Sequence, residues 1–127
     1  MTPNSRPLSP HLQVYRPQLT SMLSILHRIT GFALSFGVIA LVLWLLALSI
    51  GGECLTNVHD FWGSLFGKFF LLGWTFSFCY HFFNGMRHLS WDVGLGLEIT
   101  TVYKSGWMVL MLSSVSTLFI FWLLGGF

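Results

Sequence analysis

The sequence predicts an all-α membrane protein with three transmembrane helices, and three observations predict it. Of its 127 residues, 54% are hydrophobic and only 8% are charged, against about 25% charged in a soluble domain. So few charges cannot clothe a globular surface in water, but they suffice for one that faces lipid. Three apolar stretches, at about 29–50, 61–86 and 105–124, are each long enough to cross a hydrocarbon core of roughly 30 Å. Every charged residue except Lys68 falls outside them. The formal net charge of +2 gives no argument for nucleic acid as a partner.

Residues 1–20 read as an extended N-terminal segment, because Pro3, Pro7, Pro10 and Pro17 forbid a continuous helix. Leu8, Leu12, Val14 and Tyr15 give this segment something to bury against a partner. Residues 21–127 read as the anchor itself. The first helix is expected to begin near Thr20 or Ser21, both acceptable N-caps. It runs without a charge from Ile29 to Ile50 and stops at Gly51-Gly52. Residues 51–60 read as a short loop with Glu53 and Asp60 but no lysine or arginine. The second span, from Phe61 to about Met86, is interrupted only by Lys68, which can snorkel to the near interface, and by His81. Residues 87–104 read as a polar connection with Asp92 and Glu98, and the third span runs from Ser105 to about Leu124.

Arg6, Arg16, Arg28, Arg87 and Lys104 all lie on the N-terminal side of the membrane, and the opposite loop and the C-terminus hold no basic residue. The positive-inside bias therefore puts the N-terminus in the cytoplasm, or in an organelle's matrix. The first 28 residues show neither a short apolar core with a cleavage site nor an amphipathic transit pattern. That favours a bacterial inner membrane over a mitochondrial one. With three spans and no acidic residue in mid-span, a transporter is disfavoured, and a subunit of something larger fits better. Cys54 and Cys79 form no CxxC or CxxCH pattern, so thiolate metal sites and covalent haem attachment have no support. Trp62, Trp91 and Trp107 fall near expected interfaces, where aromatic belts form.

The ionisable residue that stands out is His81, inside the second span and about 9 Å from Arg87 along a helix. An ionisable side chain in a membrane is costly and marks a functional site by default. Gly85 at i+4 and His88 at i+7 share its face. A glycine there lets a flat macrocycle approach the backbone, and imidazole is a common axial ligand of haem iron. The alternative is a histidine hydrogen-bonded to a neighbouring helix. Two axial ligands approach iron from opposite faces, which neighbours on one helix cannot do. His88 is thus a poor second ligand, His27 is conceivable, and another polypeptide is the better source. On the first helix, Ser24, His27 and Arg28 form a polar strip one turn before Gly31. Such a strip suits a quinone, whose carbonyls need donors, or haem propionates; Arg28 reads equally well as a plain interface anchor. Asp92 could cap its loop, pair with Arg87 or His88, or relay protons.

At these residues the chain resembles the cytochrome b556 subunits of succinate dehydrogenase. Arg6–Arg16 (RPLSPHLQVYR), Ser24–Gly31 (SILHRITG) and His81–Asp92 (HFFNGMRHLSWD) match in order. The last follows the pattern H-x-x-x-G-x-R-H-L-x-W-D, and with the three-helix layout the resemblance covers nearly the whole chain. It implies that His81 is an axial ligand of haem b, whose other axial histidine belongs to a second membrane-anchor subunit that completes the helical bundle. It implies that Ser24 and Arg28 line a ubiquinone pocket and that His27 and Arg28 lie near the haem propionates. It further implies a flavoprotein subunit that oxidises succinate and an iron–sulfur subunit that passes the electrons on, so that this chain alone turns over no succinate. An anchor of a fumarate reductase, and a purely structural anchor without haem, are the competing expectations.

Overall fold

A computed structural model describes residues 16–125; residues 1–15 of the segment expected to be extended, and the motif Arg6–Arg16 up to its last residue, fall outside them, while Leu19 and Thr20 of that segment are already helical. The described residues form four helices: α1 (Leu19–Ile50), α2 (Gly52–Gly63), α3 (Leu65–Asp92) and α4 (Ile99–Leu123). Among the described residues there is no strand. Helix α3 packs against all three others, and α1 also touches α2 and α4.

Helix α1 begins slightly before its expected start. Gln18 is the N-cap, without a side-chain cap, and its carbonyl accepts the Met22 amide at 3.1 Å. With 32 residues it is about 48 Å long, well beyond the roughly 30 Å of a hydrocarbon core. Its first turns, with Ser24, His27 and Arg28, therefore have room to lie at an interface. Gly51 and Gly52 end it with φ of 72° and 57°, a left-handed conformation that other residues enter only at a cost.

Residues 51–60 are not a loop. They wind into α2, which carries Glu53 in its first turn, where the helix dipole favours an acid. Leu55, Val58 and Trp62, at i, i+3 and i+7, are its half-buried apolar residues. The expected continuous span from Phe61 is accordingly broken. Ser64 is extended, caps α3 by accepting the Gly67 amide at 3.1 Å, and donates to the Phe61 carbonyl at 2.6 Å. A Cβ at Gly67 would strike the Phe61 carbonyl and the Trp62 backbone, so the corner closes only on a glycine.

The polar connection is also shorter than expected, since α3 continues to Asp92 and α4 starts at Ile99. His81 thus lies about 16 Å from the end of its helix, although it keeps its place relative to Arg87.

Two helices, α1 and α4, are long and apolar enough to cross a membrane. The distribution of side chains fits lipid rather than water. Large apolar groups such as Ile29, Phe32, Phe36, Val115 and Phe119 point outward. Inside lie Leu23, Thr30, Gly37 and Ala47 of α1, Tyr80, Asn84 and Arg87 of α3, and Gly106, Val109, Ser113 and Thr117 of α4. Lipid is as apolar as leucine, so helix contacts select small and hydrogen-bonding residues. Ser113 and Thr117 satisfy themselves on carbonyls four residues back, at 2.6 and 2.7 Å. One apolar cluster, Leu23, Tyr80 and Val109 with Leu19, Leu26, Phe76, Phe83 and Leu110, joins α1, α3 and α4 at the end where α1 and α4 begin.

Candidate functional site

Beside that cluster α1 and α3 bring three histidines together. The rings of His27 and His81 stack with centroids 3.9 Å apart and planes 9° from parallel. His88 follows at 5.2 Å from His27, and its ring meets Trp91 edge-on at 5.1 Å. The arrangement depends on close helix approach. A Cβ at Gly31 would press on the His81 ring, whereas one at Gly85 would meet His27 Cε1 only at ordinary contact distance.

His81 is held by its Nδ1 atom, 3.2 Å from the His27 carbonyl oxygen and 3.3 Å from the Thr30 hydroxyl. Thr30, buried to 3% exposure, donates its own hydrogen to the same carbonyl at 2.9 Å. A carbonyl oxygen only accepts, so the proton belongs on Nδ1 and the lone pair on Nε2. That tautomer is the one that ligates metal through Nε2. His27 carries a buried Nδ1 with no hydrogen-bond partner among the described residues, an orphan that a ligand's polar group would satisfy.

His27 is thus drawn to the face of His81 rather than to the opposite side of a shared group. Stacked rings 3.9 Å apart leave no room for a macrocycle between them. In this arrangement the two are not a pair of opposed ligands. Among the described residues no group of three His, Cys, Asp or Glu side chains could hold a metal ion.

Ser24 is half-buried and Arg28 exposed, at i−3 and i+1 from His27. Both stand on the turn of α1 that adjoins the histidine cluster.

Arg87 departs from the sequence reading. Expected at the interface, it is only 7% exposed. It donates to the Ser105 hydroxyl and the Val102 carbonyl, each at 3.0 Å, and to Asn84 Oδ1 at 3.4 Å. Its guanidinium lies 4.1 Å over the Trp91 ring. Arg87 clamps α3 to α4, and the pairing with Asp92 that the sequence left open does not form among the described residues; Asp92 is exposed. Trp91, expected merely as a belt residue, is part of this cluster. Tyr80, fully buried, donates to the Leu23 carbonyl at 2.7 Å and ties α3 to α1 one residue before His81. Sequence reasoning missed Thr30, Tyr80 and Asn84. The available signal was a polar residue one or three positions from a histidine already singled out. Cys54 is exposed on α2 and Cys79 is buried on α3, both as free thiols.

Residues 2–120 match the family described as succinate dehydrogenase/fumarate reductase transmembrane subunit. The chain is 44% identical over 115 residues to the succinate dehydrogenase cytochrome b556 subunit of Rickettsia prowazekii, covering 91% of this chain and 90% of the relative. It is 38% identical over 123 residues to the protein of the same name from Paracoccus denitrificans, covering 92% and 95%. The succinate dehydrogenase cytochrome b560 subunit of Marchantia polymorpha is 44% identical over 115 residues, covering 84% and 81%.

Proposed function

The chain belongs to the family of succinate dehydrogenase/fumarate reductase transmembrane subunits, and from that membership we propose that it is the haem b-holding anchor of a succinate:ubiquinone oxidoreductase. In this reading α3 is a third span beside α1 and α4, and a second anchor subunit completes the bundle. The N-terminus faces the cytoplasm of a bacterium, and the flavoprotein and iron–sulfur subunits dock on that side.

The observation that carries the proposal is the state of His81. Its Nδ1 lies against an acceptor-only oxygen at 3.2 Å, which leaves Nε2 with the lone pair that haem iron requires. The donor set fits haem in a second respect, because the orphaned Nδ1 of His27 suits a propionate oxygen. His81 would therefore be the axial ligand, and His27 with Arg28 would hold the propionates. A second anchor subunit would supply the iron's other ligand. When bound, haem b supplies a one-electron store beside the quinone.

Ser24 and Arg28 act on ubiquinone. Arg28 is exposed and has its full fork of donors for a quinone carbonyl, while Ser24 offers a hydroxyl on the same edge of α1. Donors already aimed at those oxygens are worth most as negative charge develops on them. Succinate oxidation itself lies with the partner subunits.

The test is a reduced-minus-oxidised optical spectrum of the complex purified through a tag on this chain, wild type beside His81→Ala. A b-type signal that is lost or shifted in the variant supports ligation by His81. An identical signal removes His81 as ligand, and no signal in either protein makes the chain a bare structural anchor. Succinate–quinone assays on Ser24→Ala and Arg28→Ala, normalised to haem content because Arg28 also serves the propionates, should fall by about tenfold or more and test the pocket.

A further inference from the structure

We infer that Thr30 and Gly31 form a seat on α1 that sets the tautomer and the plane of the His81 ring; they are positioning residues, acting through His81. The inference rests on the reading of His81 as a haem ligand and goes beyond it.

Two oxygens stand within reach of His81 Nδ1, the His27 carbonyl at 3.2 Å and the Thr30 hydroxyl at 3.3 Å. The carbonyl can only accept. The hydroxyl hydrogen is committed to that carbonyl at 2.9 Å, so Thr30 turns a lone pair towards the ring. Both oxygens therefore accept from the same N–H, and the competing tautomer, with the proton on Nε2, would set the Nδ1 lone pair against an oxygen lone pair. The Thr30 hydroxyl is locked in this role because its side chain is buried and because back-bonding to the i−3 carbonyl is one of its few rotamers in a helix.

Gly31 controls the ring's plane. A Cβ there would lie 3.0 Å from His81 Cε1, inside van der Waals contact. One face of the ring is covered by His27, whose centroid lies 3.9 Å from that of His81. The imidazole is thus confined both in rotation about its own axis and in the identity of its free nitrogen. His27, Thr30 and Gly31 stand at i, i+3 and i+4, one face of α1, so a single stretch of chain supplies the whole seat. Hydrogen bonding to the distal nitrogen raises the basicity of a histidine ligand, and a more basic ligand favours ferric over ferrous iron.

The test uses the assembled, haem-containing complex and two readouts other than turnover: the midpoint potential of the haem, and the lowest-field feature of its ferric low-spin electron paramagnetic resonance spectrum. Thr30→Val keeps the shape of the side chain and removes the acceptor. It should raise the potential, and Thr30→Ser should return it to the wild-type value. Gly31→Ala keeps the hydroxyl and pushes on Cε1, so it should shift the resonance feature by turning the ring. If Thr30→Val fails to assemble, Thr30→Ala is measured in its place, and Gly31→Ala decides the ring-plane half of the inference independently. Wild-type potential and spectrum in the Thr30 and Gly31 variants, at full haem content, would overturn the seat, since a packing role alone moves only thermal stability. An unchanged haem spectrum in His81→Ala would instead remove the ligand reading on which the seat rests.

Discussion

The crossing of α1 and α3 turns on Gly37, and its replacement by alanine sets two effects of opposite sign against each other. Gly37 is buried in the middle of α1, and a Cβ built there would fall within the Trp74 indole. Gly73, the neighbour of Trp74 on α3, is exposed, and a Cβ there meets nothing within 4 Å. Helix propensity alone makes either glycine-to-alanine change favourable by about 1 kcal/mol. At Gly37 the methyl also forces the helices apart or the indole out of its groove, an overpacking cost of about 1–3 kcal/mol. The net expectation is a loss of up to about 2 kcal/mol for Gly37→Ala and a gain of up to about 1 kcal/mol for Gly73→Ala. Cys79 supplies the assay, because it is a buried free thiol on α3 and Cys54 is the exposed one. In a Cys54→Ser background, the temperature at which this chain becomes labelled by a thiol-reactive dye, read on a gel of the purified complex, reports opening of the bundle. Trp74→Ala should relieve the Gly37→Ala defect, with a coupling of about 0.5–3 kcal/mol in a double-mutant cycle. A Gly37→Ala protein that labels above the wild-type temperature, by as much as Gly73→Ala does, would refute the steric argument and leave propensity in charge.

Three further outcomes follow from particular contacts. Tyr80→Phe removes the 2.7 Å bond to the Leu23 carbonyl without leaving an orphaned donor, so the same thiol assay should show a loss of about 0.5–1.5 kcal/mol; no change would mean that the phenol is held by packing alone. Gly67→Ala should cripple assembly, since its Cβ would strike the backbone of Phe61 and Trp62. Gly63→Ala, with nothing near its Cβ, should assemble as the wild type does, and equal yields of the two complexes would refute the tight corner. Trp44→Phe should loosen α2, because the Trp44 indole donates to His59 Nε2 at 3.2 Å. Amide exchange should then rise over residues 52–63 and stay unchanged in α3; a uniform or absent change would count against the tie.

What the sequence made legible, and what it hid, divides along the chemistry of a lipid-facing protein. The apolar stretches, their charged boundaries and the exceptional histidine could be read because each is a contrast along the chain. The inward faces could not. In water the buried face is the apolar one, but here Phe32 and Phe36 face out while Thr30 and Gly37 face in, so hydrophobic periodicity does not point to the interior. Arg87 shows the consequence. Counting basic residues put it at an interface, yet a count cannot separate an arginine facing lipid headgroups from one bonded to Val102 and Ser105 of α4. Helix α2 was hidden for a different reason. Gly51-Gly52 does stop α1, and the acidic residues that follow looked like a loop, although Leu55, Val58 and Trp62 kept a helical spacing through them. A glycine pair ends one helix without preventing the next from starting a residue later. At the histidine cluster the hidden and the legible meet. His81 was visible as an ionisable residue in an apolar run, whereas the oxygen that selects its tautomer belongs to the backbone of His27 and to Thr30, on another helix. A backbone carbonyl has no signature in any sequence, so the residue could be read from the chain and its chemical state only from the packing of α3 on α1.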